Sequence, residues 1–190
     1  MKRGDAVIER VPVTVRWASL DDAAGIARVH VRAWRVAYRD ILLWDYLESL
    51  SVTQQKRLWQ DRLMHGETRV VVAEGDGRVV GFCAWGPCRD TDTVPHQIEI
   101  YTLYLDPAYW SCGVGRHLWQ HALTEIRQDS PSHISLWVLT ANERALRFYR
   151  AAGFACDPGS QTSFELGGVT LGEVRLVGTP EELWRGSFPA

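Results

Sequence analysis

No stretch of this 190-residue sequence comes near the roughly 20 consecutive apolar residues that a bilayer-spanning helix requires, so no membrane role is expected. Met1 to Arg10 alternates charged with apolar residues and lacks the apolar core of a secretory signal, so no leader is read there. There is no basic excess either. The formal net charge of −2 argues against a dedicated nucleic-acid binder, which would carry a basic face. The four cysteines, Cys83, Cys88, Cys112 and Cys156, show neither a metal-ligand spacing nor a disulfide framework, so a reducing cytoplasm is the expected compartment. Of the six histidines, only His117 and His121 stand four apart, and with no third ligand they are read as a solvated helix face rather than a metal site. A Walker phosphate loop is excluded, because no Gly-Lys-Ser or Gly-Lys-Thr occurs.

What is present suits a single α/β domain over residues 1–190, with its core at about 13–177. Val13 to Trp17 reads as a strand, and Ser19 with Asp22 as an approximate capping box. Ala23, Ile26, Ala27, Ala33 and Ala37 then mark one face of a helix that runs to about Arg39. A second helical stretch covers Trp44 to Met64, broken near Ser51. Arg69–Glu74 and Arg78–Trp85 flank Asp76-Gly77, a tight hairpin signal. Gln97 to Leu105 is a strand ended by Asp106-Pro107, a helix runs from Gly113 to Gln128, and Ile134 to Leu139 is the next strand. A helix from Asn142 to Ala152 stops at Gly153, and Gly167-Gly168 joins Gln161–Leu166 to Val169–Val177 in a closing hairpin. Strand, helix and strand from Gln97 to Leu139 imply a parallel pair inside an otherwise antiparallel sheet, with helices on both faces.

The segment from Gln97 to Leu123, QIEIYTLYLDPAYWSCGVGRHLWQHAL, carries the most chemistry. Gly113-Val114-Gly115 lets the backbone approach a ligand at a helix start, where unpaired N–H groups and the helix dipole favour an anion such as phosphate. Arg116 adds a charge-assisted contact. Close packing of helix on strand would select the same glycines. A Rossmann reading lacks its third glycine and its acidic residue. Arg28, Arg32, Arg35 and Arg39 have helical spacing and read as a solvated face, the alternative being a positive face turned to an acidic substrate. The nine tryptophans are too dispersed for one box and read mostly as core or pocket wall.

Strand, Asp-Pro turn, aromatic pair and Gly-x-Gly resemble the acetyl-CoA motif of the GCN5-related N-acetyltransferase (GNAT) superfamily, Gln/Arg-x-x-Gly-x-Gly/Ala. Trp137 to Phe154, WVLTANERALRFYRAAGF, resembles a second segment of the same family, and the likeness covers nearly the whole chain. The resemblance implies the GNAT fold, a mixed, mostly antiparallel sheet with a splayed parallel strand pair. It also implies acetyl-CoA as cofactor. The backbone of Ser111, Cys112, Gly113, Val114 and Gly115, with Arg116, would hold the pyrophosphate, and the main chain of Leu103, Tyr104 and Leu105 the pantetheine arm. Asn142 would touch that arm, and Tyr149 would protonate the departing thiolate. Glu99 falls where several members place a general base, although it can equally point to solvent or pair with an arginine. Trp110, Ser111 and Cys112 depart from the family pattern, and Trp110 is read as packing on the preceding helix.

These readings point to direct acetyl transfer from acetyl-CoA to a primary amine of a small molecule or peptide, in a pocket walled by Trp34, Tyr38, Trp85 and Tyr101. An acyl-Cys112 route is the weaker alternative. A non-catalytic acyl-CoA-binding domain of the same fold, or a purely structural partner protein, are the rival classes. The closing hairpin and tail, Thr162 to Phe188, offer an apolar edge for a homodimer.

Overall fold

The computed structural model describes residues 12–185, so the reading of Met1–Arg10 and the tail after Arg185 lie outside the described residues. Its elements are β1 (Thr14–Trp17), α1 (Ala23–Ala37), α2 (Trp44–Ser49), α3 (Val52–His65), β2 (Arg69–Gly75), β3 (Arg78–Pro87) and β4 (Ile98–Leu105). They continue as α4 (Val114–Arg127), β5 (Ile134–Leu139), α5 (Glu143–Ala151), β6 (Ala155–Cys156), β7 (Thr162–Leu166), β8 (Val169–Gly178) and α6 (Pro180–Arg185). The short β6 and the helix α6 carry no signal that the sequence analysis used.

Local chemistry explains most boundaries. Asp22 accepts from the Ser19 N–H at 2.7 Å and from its hydroxyl at 3.0 Å, which turns the chain into α1. Leu50 and Ser51 are extended, and Ser51 caps α3 by accepting from Gln54, so the long helical stretch divides in two. Asp76 (φ 52°) and Gly77 (φ 66°) form the two-residue turn between β2 and β3.

The strands order as β1-β2-β3-β4-β5-β8-β6, with β7 also on β8. Among the described residues only β4 and β5 run parallel, and every other pair is antiparallel. On β4 the register against β3 steps from Thr102↔Ala84 to Ile100↔Trp85, leaving Tyr101 as a bulge residue.

Alternation in β2 sends Val71 and Ala73 to one face of the sheet and Val70 and Val72 to the other. The first face packs on α4, α5 and α6 through Leu118, Trp119, Ile126, Ala152 and Leu183. The second packs on α1 and α3 through Ile26, Ala27 and Trp59. A third cluster, Tyr38, Leu42, Leu47 and Leu171, closes the end of α1 and α2 over β8.

Arg32 and Arg35 of α1, and Arg39 just beyond it, have partners within the structure. Arg32 pairs with buried Asp106 at 3.1 Å, Arg39 with Asp40, and Arg35 binds the terminal carbonyls of Leu47, Glu48 and Leu50. Arg35 thereby fastens α2 to α1 by satisfying carbonyls that the helix end leaves open.

His30 sits among Trp34, Trp59, Phe82 and Tyr104, and its Nδ1 accepts from the Trp59 indole at 3.3 Å. Burial first, and then Arg62, lower its pKa from 6.5 to about 4, so the ring is neutral at physiological pH. Because the unfolded chain binds this proton first, the stability contribution is full above pH 6.5 and is lost as the pH falls toward 4. The gap corresponds to roughly 3 kcal/mol. His30→Gln, which keeps an acceptor for Trp59, should flatten the urea-unfolding stability between pH 6.5 and 4 by about that amount relative to wild type.

Candidate active site

β4 and β5 pair at only two positions, Ile98↔Ile134 and Glu99↔Ser135. Beyond them β4 stays with β3 as far as Leu105↔Gly81, while β5 follows β8 as far as Leu139↔Glu173. The facing edges therefore part, and a cavity of about 800 Å³ runs through the opening. Leu103, Tyr104 and Leu105 line one side of the gap, Val138, Leu139 and Tyr149 the other.

At one end lies the loop into α4. Ser111 (φ 59°) and Gly113 (φ 84°) both take the left-handed conformation, which curls successive N–H groups into a concave row at the helix start. Nothing lies within 4 Å of where a Gly113 side chain would begin, so that face is open to a ligand. Gly115 answers a different demand: a Cβ there would meet Leu105 at 3.0 Å and Phe148 at 3.4 Å. Val114 points into the core, so only its backbone can serve the loop. Arg116, Arg144 and Arg147 line this end. Burial and then Arg147 lower the Arg144 guanidinium from its ordinary value, as expected where positive charge is concentrated. Arg147 is paired with Glu143 at 3.2 Å, and backbone amides beside the Arg144 guanidinium suit a pyrophosphate.

Trp110 is held between β4 and α5. Its indole N–H donates to the Leu105 carbonyl at 3.1 Å, and the Arg144 guanidinium of α5 lies over its ring at 4.3 Å. Arg144 also reaches Ser111 Oγ at 3.1 Å, so the departures from the family pattern hold the loop between β4 and α5. Cys112 is exposed, its thiol donating to the Trp110 carbonyl at 3.3 Å.

In the middle, α5 starts from Asn142, whose side chain accepts from the Ala145 N–H at 3.1 Å while its residue lines the cavity. Tyr149, further along α5, is buried against Phe148 and Phe154 yet reaches the cavity. Burial, with Cys83 and Tyr38 nearby, pushes its hydroxyl well above the usual tyrosine range, so it stays protonated. Tyr38 is raised by burial, partly offset by Tyr104 and Asn142. The Trp34 indole N–H is buried without a well-formed hydrogen bond, although it is near enough to Tyr104 to offset slightly the rise that burial causes there.

The far end is an aromatic chamber with Trp34, Tyr38, Tyr101, Trp137 and Phe164 in its wall. Trp85 is absent from it: fully buried, it follows Cys83 onto the α4 face in the alternation of β3, opposite Phe82 and Ala84, and packs on Trp17 at 5.6 Å. Tyr101 donates to the Pro87 carbonyl at 2.7 Å with Arg89 over its ring at 4.1 Å. Glu99 is buried and does not line the cavity. Arg89 grips both its oxygens, Nε at 3.0 Å on Oε2 and Nη2 on Oε1, and the Arg89 backbone N–H adds a third bond at 3.0 Å. The carboxylate that does line the cavity is Glu173 of β8. Burial first, then Asp90 and Glu99, raise its pKa above the ordinary glutamate value. Sequence reasoning missed Glu173, Trp137, Phe164 and Arg144. The signal for Glu173 lay in β8, where Leu171, Glu173 and Arg175 alternate with Gly172, Val174 and Leu176.

Arg175 pins the chamber rim. It contacts Asp90 at 3.0 Å, Asp92 at 2.6 Å and Asp157 at 2.6 Å, and Trp137 donates to Asp90 at 3.0 Å. Among the described residues, no group of three or more His, Cys, Asp or Glu is placed to hold a metal ion.

The family model described as "Acetyltransferase (GNAT) family" matches residues 35–154. This chain is a member of the GNAT acetyltransferase family. It is 35% identical over 165 residues, 86% of this chain and 91% of the other, to the uncharacterized N-acetyltransferase YuaI of Bacillus subtilis. The L-amino acid N-acyltransferase MnaT of Escherichia coli is 26% identical, with 75% of this chain and 79% of its own covered. Among solved structures, yncA of Salmonella typhimurium with its cofactor acetyl-CoA superposes with a TM-score of 0.69 at 20% identity, over 94% of this chain and 98% of its own. The paia N-acetyltransferase of Thermoplasma acidophilum in complex with coenzyme A gives 0.66 at 20% identity, over 85% and 98%. This GNAT chain thus shares the fold of both.

The two glycines of the loop should fail differently. Gly113→Ala meets no neighbour but must hold φ at 84°, a strain of about 1 kcal/mol. Gly115→Val crowds Leu105 and Phe148 and should cost ~1–3 kcal/mol in urea unfolding.

Proposed function

We propose that this protein transfers an acetyl group from acetyl-CoA directly to a primary amine of a small molecule or peptide. One observation carries the proposal: a single cavity links an anion-binding helix start, through the parted strands, to an aromatic chamber containing a carboxylate. When bound, acetyl-CoA supplies an activated thioester. The N–H groups of the Ser111–Gly115 loop, with Arg116 and Arg144, bind the pyrophosphate. The main chain of Leu103–Leu105 pairs with the pantetheine arm along the edge that β5 vacates, with Asn142 beside it. A backbone N–H near Leu105 polarises the thioester carbonyl.

Tyr149 is the proton donor to the departing sulfur. Its hydroxyl is held protonated, and the residue lines the cavity between the parted strands. The acceptor enters from the chamber of Trp34, Tyr38, Tyr101, Trp137 and Phe164. Four free cysteines support a reducing, cytoplasmic setting. The exposed edge formed by β7 on the far side of β8 supports a homodimer contact through the closing hairpin.

Calorimetric titration tests the cofactor assignment. Wild type should bind acetyl-CoA and coenzyme A at micromolar Kd, and Gly113→Pro, whose ring cannot take a positive φ, should lose binding while keeping its far-UV circular dichroism. Absence of binding to wild type would refute the assignment. Tyr149→Phe should retain cofactor Kd and lower kcat by about tenfold, measured as coenzyme A release.

A further inference from the structure

We infer that Glu173, rather than Glu99, is the residue that takes the proton from the acceptor, and that the acceptor is an ammonium carrying no carboxylate beside its nitrogen. The inference rests on the acetyl-transfer reading above and names its base and its substrate class.

The charges along the cavity are segregated. Arg116, Arg144 and Arg147 line the loop end, whereas Glu173 is the charged side chain in the chamber wall. Two guanidiniums stand behind that wall, and both are committed. Arg89 is bound to Glu99, and Arg175 is shared among Asp90, Asp92 and Asp157. Among the described residues Glu173 has neither a hydrogen bond nor an ion pair, although its neighbours across the sheet, Leu139 and Thr162, hold its backbone in the ladder.

Asp90 from the loop after β3 and Glu99 with its Arg89 act on it electrostatically, Tyr101 of β4 and Tyr38 at the end of α1 share its cavity wall, and Arg175 lies two positions along β8. Asp90 and Glu99 oppose its ionisation electrostatically, so a cation in the chamber relieves a repulsion that no arginine is available to relieve. A carboxylate on the acceptor would add to that repulsion. An amino acid is therefore disfavoured and its decarboxylated counterpart favoured, with aromatic walls to receive the cation.

The step balances in protons. The ammonium gives one proton to Glu173, and the neutral nitrogen attacks the thioester carbonyl. The C–N bond forms, the C–S bond breaks, and the sulfur leaves with the electron pair. The second proton lost by nitrogen replaces the one that Tyr149 delivers to sulfur, and Glu173 passes its proton to solvent. A base with a raised pKa sits nearer the operating pH than an ordinary glutamate.

The test uses full-length enzyme, saturating acetyl-CoA and matched acceptors whose single amine differs by one adjacent carboxylate: phenethylamine against L-phenylalanine, and tyramine against L-tyrosine. The amine of each pair should have the higher kcat/KM by at least tenfold. In wild type, kcat/KM should fall on the acid side through a pKa above the ordinary glutamate range. Glu173→Gln should lower it by about 10²–10⁴-fold and abolish that limb, with unchanged acetyl-CoA Kd. Glu173→Asp should restore part of the rate and the limb, and Glu99→Gln should keep the limb. Glu173→Gln with a wild-type pH profile, or amino acids turned over as well as their amines, overturns the inference. Acetyl-CoA binding without acceptor-dependent coenzyme A release from any pair overturns the acetyl-transfer reading on which it rests.

Discussion

The parting of β4 from β5 is the constraint on which the remaining architecture depends. Two paired positions hold the halves of the sheet together at one end. Beyond them β4 follows β3 and β5 follows β8, and the divergence of these two ladders leaves the facing edges of β4 and β5 without a partner strand. An unpaired strand edge in a sheet interior is costly unless something bonds to it. Here it borders a cavity, which an extended, amide-bearing ligand can enter as a substitute strand. The Gly115–Leu105 contact and the indole bond from Trp110 to the Leu105 carbonyl brace the same edge from the α4 side.

Polarity is distributed along the cavity in the order its ligands need. Amides and guanidiniums occupy the end at α4, a protonated tyrosine the waist, and aromatic rings with one carboxylate the far end. The bulge at Tyr101 contributes to this order. One extra residue in β4 shifts its side-chain alternation, so that Ile100 and Leu103 both face the α4 layer while Tyr101 opens on the chamber.

The elements legible in the sequence were those with strong local signals. The valine-rich β2, the Asp76-Gly77 turn, the Gly113 helix start and the Asn142 and Gly153 ends of α5 need only neighbours along the chain to be recognised. The parallel pair followed from a strand–helix–strand order. What escaped was set by distant partners. Glu99 and Glu173 are both glutamates in β-strands, and only tertiary structure tells them apart: a loop arginine binds one, and the other is left facing the cavity. Trp85 differs from Trp34 through the alternation of β3, which sends it with Cys83 to the α4 face, and which of the two faces holds the cavity is decided only when the sheet is assembled. The guanidinium over the Trp110 ring was out of local reach, because Arg144 lies 34 positions further on.

Arg175 gathers Asp90 and Asp92 from the loop after β3 and Asp157 from the turn after β6 onto one strand. Three segments far apart in the chain are thereby welded at a single guanidinium. Such a weld couples their evolutionary fates: the loop cannot be exchanged for one of another length or charge unless β8 changes with it. Diversification of this chamber is therefore easier through its detachable walls, such as Phe164 on the edge strand β7, than through the loop that a free-standing hairpin would have left open to variation.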